Sequence, residues 1–175
     1  YVCIGRQLFL DSADQARILT FVAQGNTAFI STDYLPHFLY DFQFTKDTTY
    51  TNSQNQDIFV DQFPTVESSE LTVKLNDYKD TIVFPNVTNN QIIIDSHTYL
   101  ESNYGLNERV NVLGRFNKNY INFFSFNYGK GKFLIHTTPE MFSNYALSKE
   151  NNLAYAEFVF SHLETKNGIF WDEFN

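Results

Sequence analysis

The stretch YGKGKFLIHTTPEMFSNY, residues 128–145, constrains the fold more than any other part of this chain. The run 132–135 is apolar enough to lie inside a sheet, and Gly129 and Gly131 before it form a tight entry turn. After Ile135 the chain turns polar at once, so His136, Thr137 and Thr138 stand where a strand stops. Pro139 is placed to open a helix at its first turn, where a missing N–H leaves nothing further unpaired, with Thr138 as the N-cap. In open α/β sheets ligands collect in the crevice beyond the carboxyl ends of the strands, which makes this strand end a site candidate on geometry.

The segments before and after it supply the sheet around that strand. Residues 1–4 read as a short apolar strand ending at Gly5. Asp11 or Ser12 caps a helix running to about residue 24, with Ala16, Leu19, Phe21, Val22 and Ala23 as its apolar stripe and Gly25-Asn26 as its stop. Residues 27–30 form the next strand, and so short a connection through one helix implies parallel neighbours. A second helix is expected over 33–42, with Pro36 near its first turn. From 43 to 99 helical periodicity is lost; strands are expected at 70–75, 81–85 and 91–95, a polar loop at 45–56, and the whole region reads as a β-rich insertion or subdomain over one edge of the main sheet. Strands at 109–116, 120–128 and 132–136, separated by turn residues, form an antiparallel meander. A helix over 151–164, with Leu153, Ala156, Phe160 and Leu163 on one face, and a strand at 168–171 complete a single α/β domain over residues 1–175.

Composition excludes some partners. With 175 residues, 43% of them hydrophobic and 18% charged, the chain is an ordinary globular domain with one core. A net charge of -8, a pI near 4.8 and no basic stripe argue against nucleic acid and anionic membrane surfaces. One cysteine excludes an internal disulfide and any multi-Cys zinc site. No signal peptide or apolar span of membrane length is present, and a chain that begins at Tyr1 and enters a strand at once reads as a piece of a longer protein. The excess of Phe (19) and Tyr (11) reads as core, or as an aromatic platform for sugars or a protein.

Three segments, FVAQGNTAFIST, NYGKGKFLIHTTPEMFSNY and the final GIFWDEFN, together resemble the family of domain of unknown function 4350, common in Bacteroidetes, whose fold looks like that of class I glutamine amidotransferases. The resemblance implies a flavodoxin-like or amidotransferase-like mixed sheet flanked by helices, with a first βα element preceding Tyr1. It also implies spans outside this chain that tether the domain at the extracytoplasmic face of the membrane. Family genes often lie beside those of MoxR-type AAA ATPases, which points to a role in envelope maintenance.

The amidotransferase likeness calls for a cysteine on a strand-to-helix elbow and a His followed closely by Pro-Glu. Here His136 is separated from Pro139-Glu140 by two extra residues, Cys3 has no glycine-flanked elbow, and no Gly-x-Ser-x-Gly occurs. Ser31 is the best hydroxyl. His37, His97, His136 and His162 have no ligand spacing, and Asp172 and Glu173 alternate faces, so no metal and no cofactor are assigned. What remains is a convergence at the carboxyl edge: Ser31, Thr32 and Asp33 after one strand, His136, Thr137 and Thr138 after another, Asp172 and Glu173 after the last, with Asn144 and Trp171 nearby. It reads either as a pocket for a small polar or glycan ligand, with Trp171 as a stacking surface, or as helix caps and turn pins. Two functions follow: a non-catalytic domain that binds a protein or small ligand, or a hydrolase or transferase centred on His136 with Glu140, Asp33 or Asp172 as its partner.

Overall fold

Helix α1 (Ser12–Ala23) begins where the Asp11 carboxylate accepts the Asp14 N–H at 2.8 Å, so Asp11 and not Ser12 is the cap. It ends at Gly25, whose φ of 109° breaks the helical run. Of its expected stripe Val22 is buried together with Ile18, while Leu19 and Phe21 are partly buried against the same cluster and Ala16 is exposed. The helix joins β1 (Val2–Ile4) to β2 (Thr27–Ser31), which pair in parallel as the short connection requires.

The computed structural model describes residues 1–39, 70–75, 82–85, 100–101, 109–116, 120–148, 152–164 and 168–172. Its remaining strands are β3 (Glu70–Leu75), β4 (Ile82–Pro85), β5 (Leu100–Glu101), β6 (Val110–Phe116), β7 (Tyr120–Tyr128), β8 (Gly131–His136) and β9 (Trp171–Asp172). They form one mixed α/β sheet in the order β4-β3-β6-β7-β8-β2-β1-β9. β8, β2, β1 and β9 run parallel, and β4, β3, β6, β7 and β8 form antiparallel neighbours. β5 pairs with β7 at Tyr120 and Ile121, past the point where β8 ends opposite Phe123.

Among the described residues of the 43–99 region, β3 and β4 continue the main sheet, β3 hydrogen-bonding directly to β6 and β4 to β3. The expected strand at 91–95 and the polar loop at 45–56 lie outside the described residues. Of the helix expected over 33–42, the described residues 33–39 hold a 3₁₀ turn at His37–Leu39, since Tyr34 is held extended by a parallel bridge to Gln7 and the Asp33 carboxylate is engaged by Arg6; 40–42 lie outside the described residues. Finally, the helix expected over 151–164 is α3 (Asn152–Phe160), following a short α2 (Asn144–Leu147). Past Phe160 the chain tightens into i→i+3 bonds, His162 N–H to Val159 O and Leu163 N–H to Phe160 O. Its inward face is Tyr155, Ala156 and Val159 rather than Leu153, which is 57% exposed.

Strands β1, β2, β7 and β8 are buried on both sides. Residues that share a rung of the ladder lie on one face. On one face Val2, Phe29, Leu134 and Phe123 meet Tyr155 and Val159 of α3; on the other Ile30, Ile135 and Phe124 meet Ile18 and Val22 of α1 with Leu35 and Leu39. Each such side chain contributes about 1.5–3 kcal/mol by leaving water. The β7–β8 turn is locked to the end of α1. Gly129 takes a φ of +59°, Lys130 N–H donates to Ala23 O at 3.0 Å, and Lys132 N–H donates to Asn26 O at 3.2 Å. This lock fixes how far β8 reaches along the sheet, and so where His136 comes to rest.

Candidate functional site

β8 delivers His136 to the same rung as Ser31 of β2 and Phe123 of β7, and all three are fully buried. Ser31 Oγ lies 2.9 Å from His136 Nδ1, and the Tyr155 hydroxyl lies 2.7 Å from Nε2. The Thr138 N–H also points at Nδ1, at 3.4 Å, which assigns the lone pair to Nδ1 and the proton to Nε2. Ser31 O–H then donates to Nδ1 and Nε2–H donates to the Tyr155 oxygen. That oxygen accepts again from Asn122 Nδ2 at 3.3 Å, and the same amide donates to Thr138 Oγ1 at 3.2 Å. The result is a network of hydroxyls, an amide and a neutral imidazole. Among the described residues, Asn122 Oδ1, Thr137 Oγ1 and Asn152 Oδ1 are buried oxygens without a hydrogen-bond partner.

The network is roofed by the 3₁₀ turn Pro139–Phe142. The Phe142 ring sits 4.7 Å from the His136 ring, and Met141 is buried with its Sδ 3.4 Å from Thr138 Oγ1. Pro139 opens this turn and Thr138 stands at its N-cap position, as expected, but the Thr138 hydroxyl makes no capping bond, because it is committed to Asn122, His136 and Met141. So enclosed, His136 is held down to a pKa of about 3, the cause being loss of water around the charged form. Burial also raises the Tyr155 phenol.

The sign of the resulting pH dependence is fixed. An unfolded histidine takes up its proton near pH 6.5, whereas folded His136 does so only near 3, so its contribution to stability is complete above about 6.5 and drains away as pH falls towards 3. Thermal melts at pH 7.5 and 4.5 should show a larger loss of melting temperature for the native chain than for His136→Gln.

Beyond the roof lies a charged rim. Asp33, 2% exposed, accepts from Arg6 Nε at 3.2 Å, and Thr32 Oγ1 donates to the Arg6 carbonyl at 3.0 Å. Glu140 is exposed. Desolvation, and then the Asp33 charge, raise its carboxyl group to about 7.

The carboxyl edge therefore gathers Ser31, Thr32, Asp33, His136, Thr137, Thr138 and Glu140, of which all but Glu140 are buried. The others stand apart. Asn144 opens the exposed helix α2, Trp171 is 53% exposed at the sheet edge against Phe160, and Glu173 lies outside the described residues. Asp172 shares a rung with Cys3 and so lies on the α1 face, opposite His136, where it accepts from the Tyr1 hydroxyl. There it borders an open groove of about 260 Å³ between Tyr1, Leu8, Phe9, Leu10 and Ile18. Cys3 is buried beside it, its thiol pushed up by desolvation and then by the Asp172 charge, which suppresses the thiolate a nucleophile needs.

His162 is partly buried, with its ring 5.3 Å from Phe123 and 5.0 Å from Phe158. His97 and the side chain of His37 lie outside what is described. Among the described residues no three His, Cys, Asp or Glu side chains are grouped to hold a metal ion, and no helix is long and apolar enough to cross a membrane.

Sequence reasoning missed Asn122, Tyr155 and Arg6. Asn122 could have been found as an amide amid the aromatic residues of the strand YINFFSFNY, and Arg6 as the cation directly after the strand-ending Gly5. Tyr155 gives no such signal in the helix NLAYAEFVF.

A family model described as Domain of unknown function (DUF4350) matches residues 1–159. No curated protein and no solved structure matches the chain.

Proposed function

Because the chain belongs to the DUF4350 family, whose description names no activity, we propose from the site itself that it is a non-catalytic binding or scaffolding domain. The observation that carries this reading is the enclosure of His136: the ring is 0% exposed, and its two nitrogens meet hydroxyls and a backbone N–H. A general base must reach the proton it removes and hold a pKa near the working pH; this histidine is fully buried and is held far below neutrality. In this reading the carboxyl edge is a structural hub, and contacts with a protein or a small polar or glycan ligand are made on the outer surface. The domain would be tethered at the extracytoplasmic face of the membrane by spans outside this chain and act with a MoxR-type ATPase in envelope maintenance. The sheet would be a variant of the flavodoxin-like or amidotransferase-like architecture, a view supported by the parallel strands β8, β2, β1 and β9 with α1 on one face and α3 on the other.

One observation favours the second reading, a divergent hydrolase: 2.9 Å between Ser31 Oγ and His136 Nδ1 is the spacing of a nucleophile and its base. The far nitrogen, however, faces Tyr155 where such enzymes place an orienting carboxylate. Treating the protein with a fluorophosphonate probe and measuring its intact mass separates the two. The expected result is no adduct, together with ester and glutamine hydrolysis no faster than for Ser31→Ala. A stoichiometric adduct on Ser31 in the folded protein would establish the hydrolase instead.

A further inference from the structure

Two neighbouring parallel strands, β2 and β8, send the chain to opposite faces of the sheet. After β2 it passes to the α1 face, where Leu35 and Leu39 join Ile18 and Val22; after β8 it passes to the α3 face, where Met141 joins Tyr155 and Val159. In α/β sheets the point where adjacent connections part in this way is where ligands bind, outside the carboxyl ends of the strands. His136 at that point is fully buried, so what a ligand meets is the rim.

One cation is built into the rim. Arg6 follows β1, the other neighbour of β2, and its backbone is clamped: Gly5 N–H donates to Ser31 O at 3.0 Å, and the Arg6 carbonyl accepts from Asp33 N–H at 3.1 Å and from Thr32 Oγ1 at 3.0 Å. Arg6 Nε donates to the buried Asp33 carboxylate at 3.2 Å. The side chain is nonetheless 79% exposed, and among the described residues Nη1 and Nη2 make no hydrogen bond. Asp33 thus holds the guanidinium by one nitrogen and leaves the other two presented to solvent. A fork already held in one orientation loses less freedom when it takes a planar oxyanion. Tyr34, bridged to Gln7 next to Arg6 and 41% exposed, adds an aromatic surface alongside.

We propose that Arg6 and Tyr34 form a binding site for a carboxylate, that of a small acid or of a peptide end, with Arg6 Nη1 and Nη2 as bidentate donors and Asp33 as the residue that positions them. The site rests on the non-catalytic binding reading and gives its small polar ligand a chemical class and a place. Charge selects carboxylate over phosphate. Arg6 and Asp33 sum to zero, Glu140 is exposed on the adjoining turn, and the chain carries a net charge of -8, so the rim offers directed donors without surplus positive charge. A planar monoanion matches such donors, whereas a dianion is repelled. If Arg6 only neutralised the buried Asp33, a positive charge would suffice and a fork would not be needed; Arg6→Lys separates the two roles.

The test is a nitrogen-15 NMR titration of the whole chain at constant ionic strength, reading Arg6 Nε–H and the amides of Asp33 and Tyr34. The probes are acetate, N-acetylglycylglycine, its neutral amide N-acetylglycylglycinamide, and inorganic phosphate. Both carboxylates should shift these signals saturably, with dissociation constants on the order of millimolar for ligands of so few atoms. The neutral amide and phosphate should bind about tenfold more weakly or worse, the worth of one charge-assisted hydrogen bond. Tighter binding of N-acetylglycylglycine than of acetate assigns the site to a peptide end, and equal binding to a small acid. Arg6→Lys should lose about tenfold in carboxylate affinity while its melting temperature stays within about 3 °C. Equal binding of the neutral amide, tighter binding of phosphate, undiminished affinity in Arg6→Lys, or no saturable shift at Arg6 would each overturn the site. Its failure is distinct from that of the reading beneath it: a fluorophosphonate adduct on Ser31 would end the non-catalytic reading, whereas a silent Arg6 would remove this site and leave the buried His136 as it is.

Discussion

Replacing His136 with alanine is expected to destabilise the domain by about 4 kcal/mol, a loss of roughly 12 °C in melting temperature for a chain of this size. Two effects add. The ring is in aromatic contact with Phe29, Phe123, Phe142 and Tyr155, so its removal leaves a cavity in a core that cannot easily collapse. It also strips the Ser31 hydroxyl and the Tyr155 hydroxyl of a buried partner, at about 1–3 kcal/mol for each group left unsatisfied. His136→Gln should lose less, because a side-chain amide can restore part of the hydrogen bonding. A catalytic histidine predicts the opposite, since active-site groups are commonly held at a cost to stability and their removal is neutral or stabilising. Chemical denaturation of the three proteins separates these outcomes, and an unchanged midpoint for His136→Ala would count against a structural hub.

Gly131→Ala should be nearly as damaging, by about 3 kcal/mol or more, for a different reason. A Cβ at this position would stand 2.1 Å from Asn26 O and 2.2 Å from Val22 O. Both are backbone atoms at the end of α1 and cannot swing aside as a side chain could. Relief requires the turn to lift off the helix, which would break the bonds from Lys130 N–H to Ala23 O and from Lys132 N–H to Asn26 O. β8 would then lose the anchor that sets His136 level with Ser31. Gly5→Ala provides the control: its nearest neighbour would be 4.0 Å away, and its melting temperature should hardly move. A Gly131→Ala protein as stable as Gly5→Ala would show that the turn does not lock the strand.

Much of the sheet was legible in the sequence because the signals were local. The Asp11 region and Gly25 bracket α1, and turn residues bracket β7 and β8, so periodicity and punctuation agreed. The face of α3 was not legible. Apolar residues occupy nearly every side of NLAYAEFVF, and only tertiary contact with Met141 and Phe29 selects Tyr155 and Val159 over Leu153. Likewise, nothing local announces that Tyr34 pairs with Gln7, and that long-range bridge is what prevents a helix from starting at Asp33.

At the site, the strand-end cluster was visible as Ser31, Thr32 and Asp33 on one segment and His136, Thr137 and Thr138 on another. Their burial was not, because polar residues at a strand end ordinarily face water. What buries them is the turn that follows: Met141 and Phe142 fold back over His136, and Tyr155 and Asn122 satisfy the polar atoms beneath. Asp172 shows the converse. Sequence position puts it after a neighbouring strand, yet pairing on the rung of Cys3 turns it to the opposite face, towards Tyr1.

The most direct test of the account is the titration of His136 itself by nitrogen-15 and carbon-13 NMR of the imidazole. The ring should remain neutral, with its proton on Nε2, from pH 8 down to the onset of acid unfolding, and show no midpoint between 6 and 7. A midpoint near 6.5 in the folded protein would show that water reaches the ring and would contradict the buried hub on which the non-catalytic reading rests.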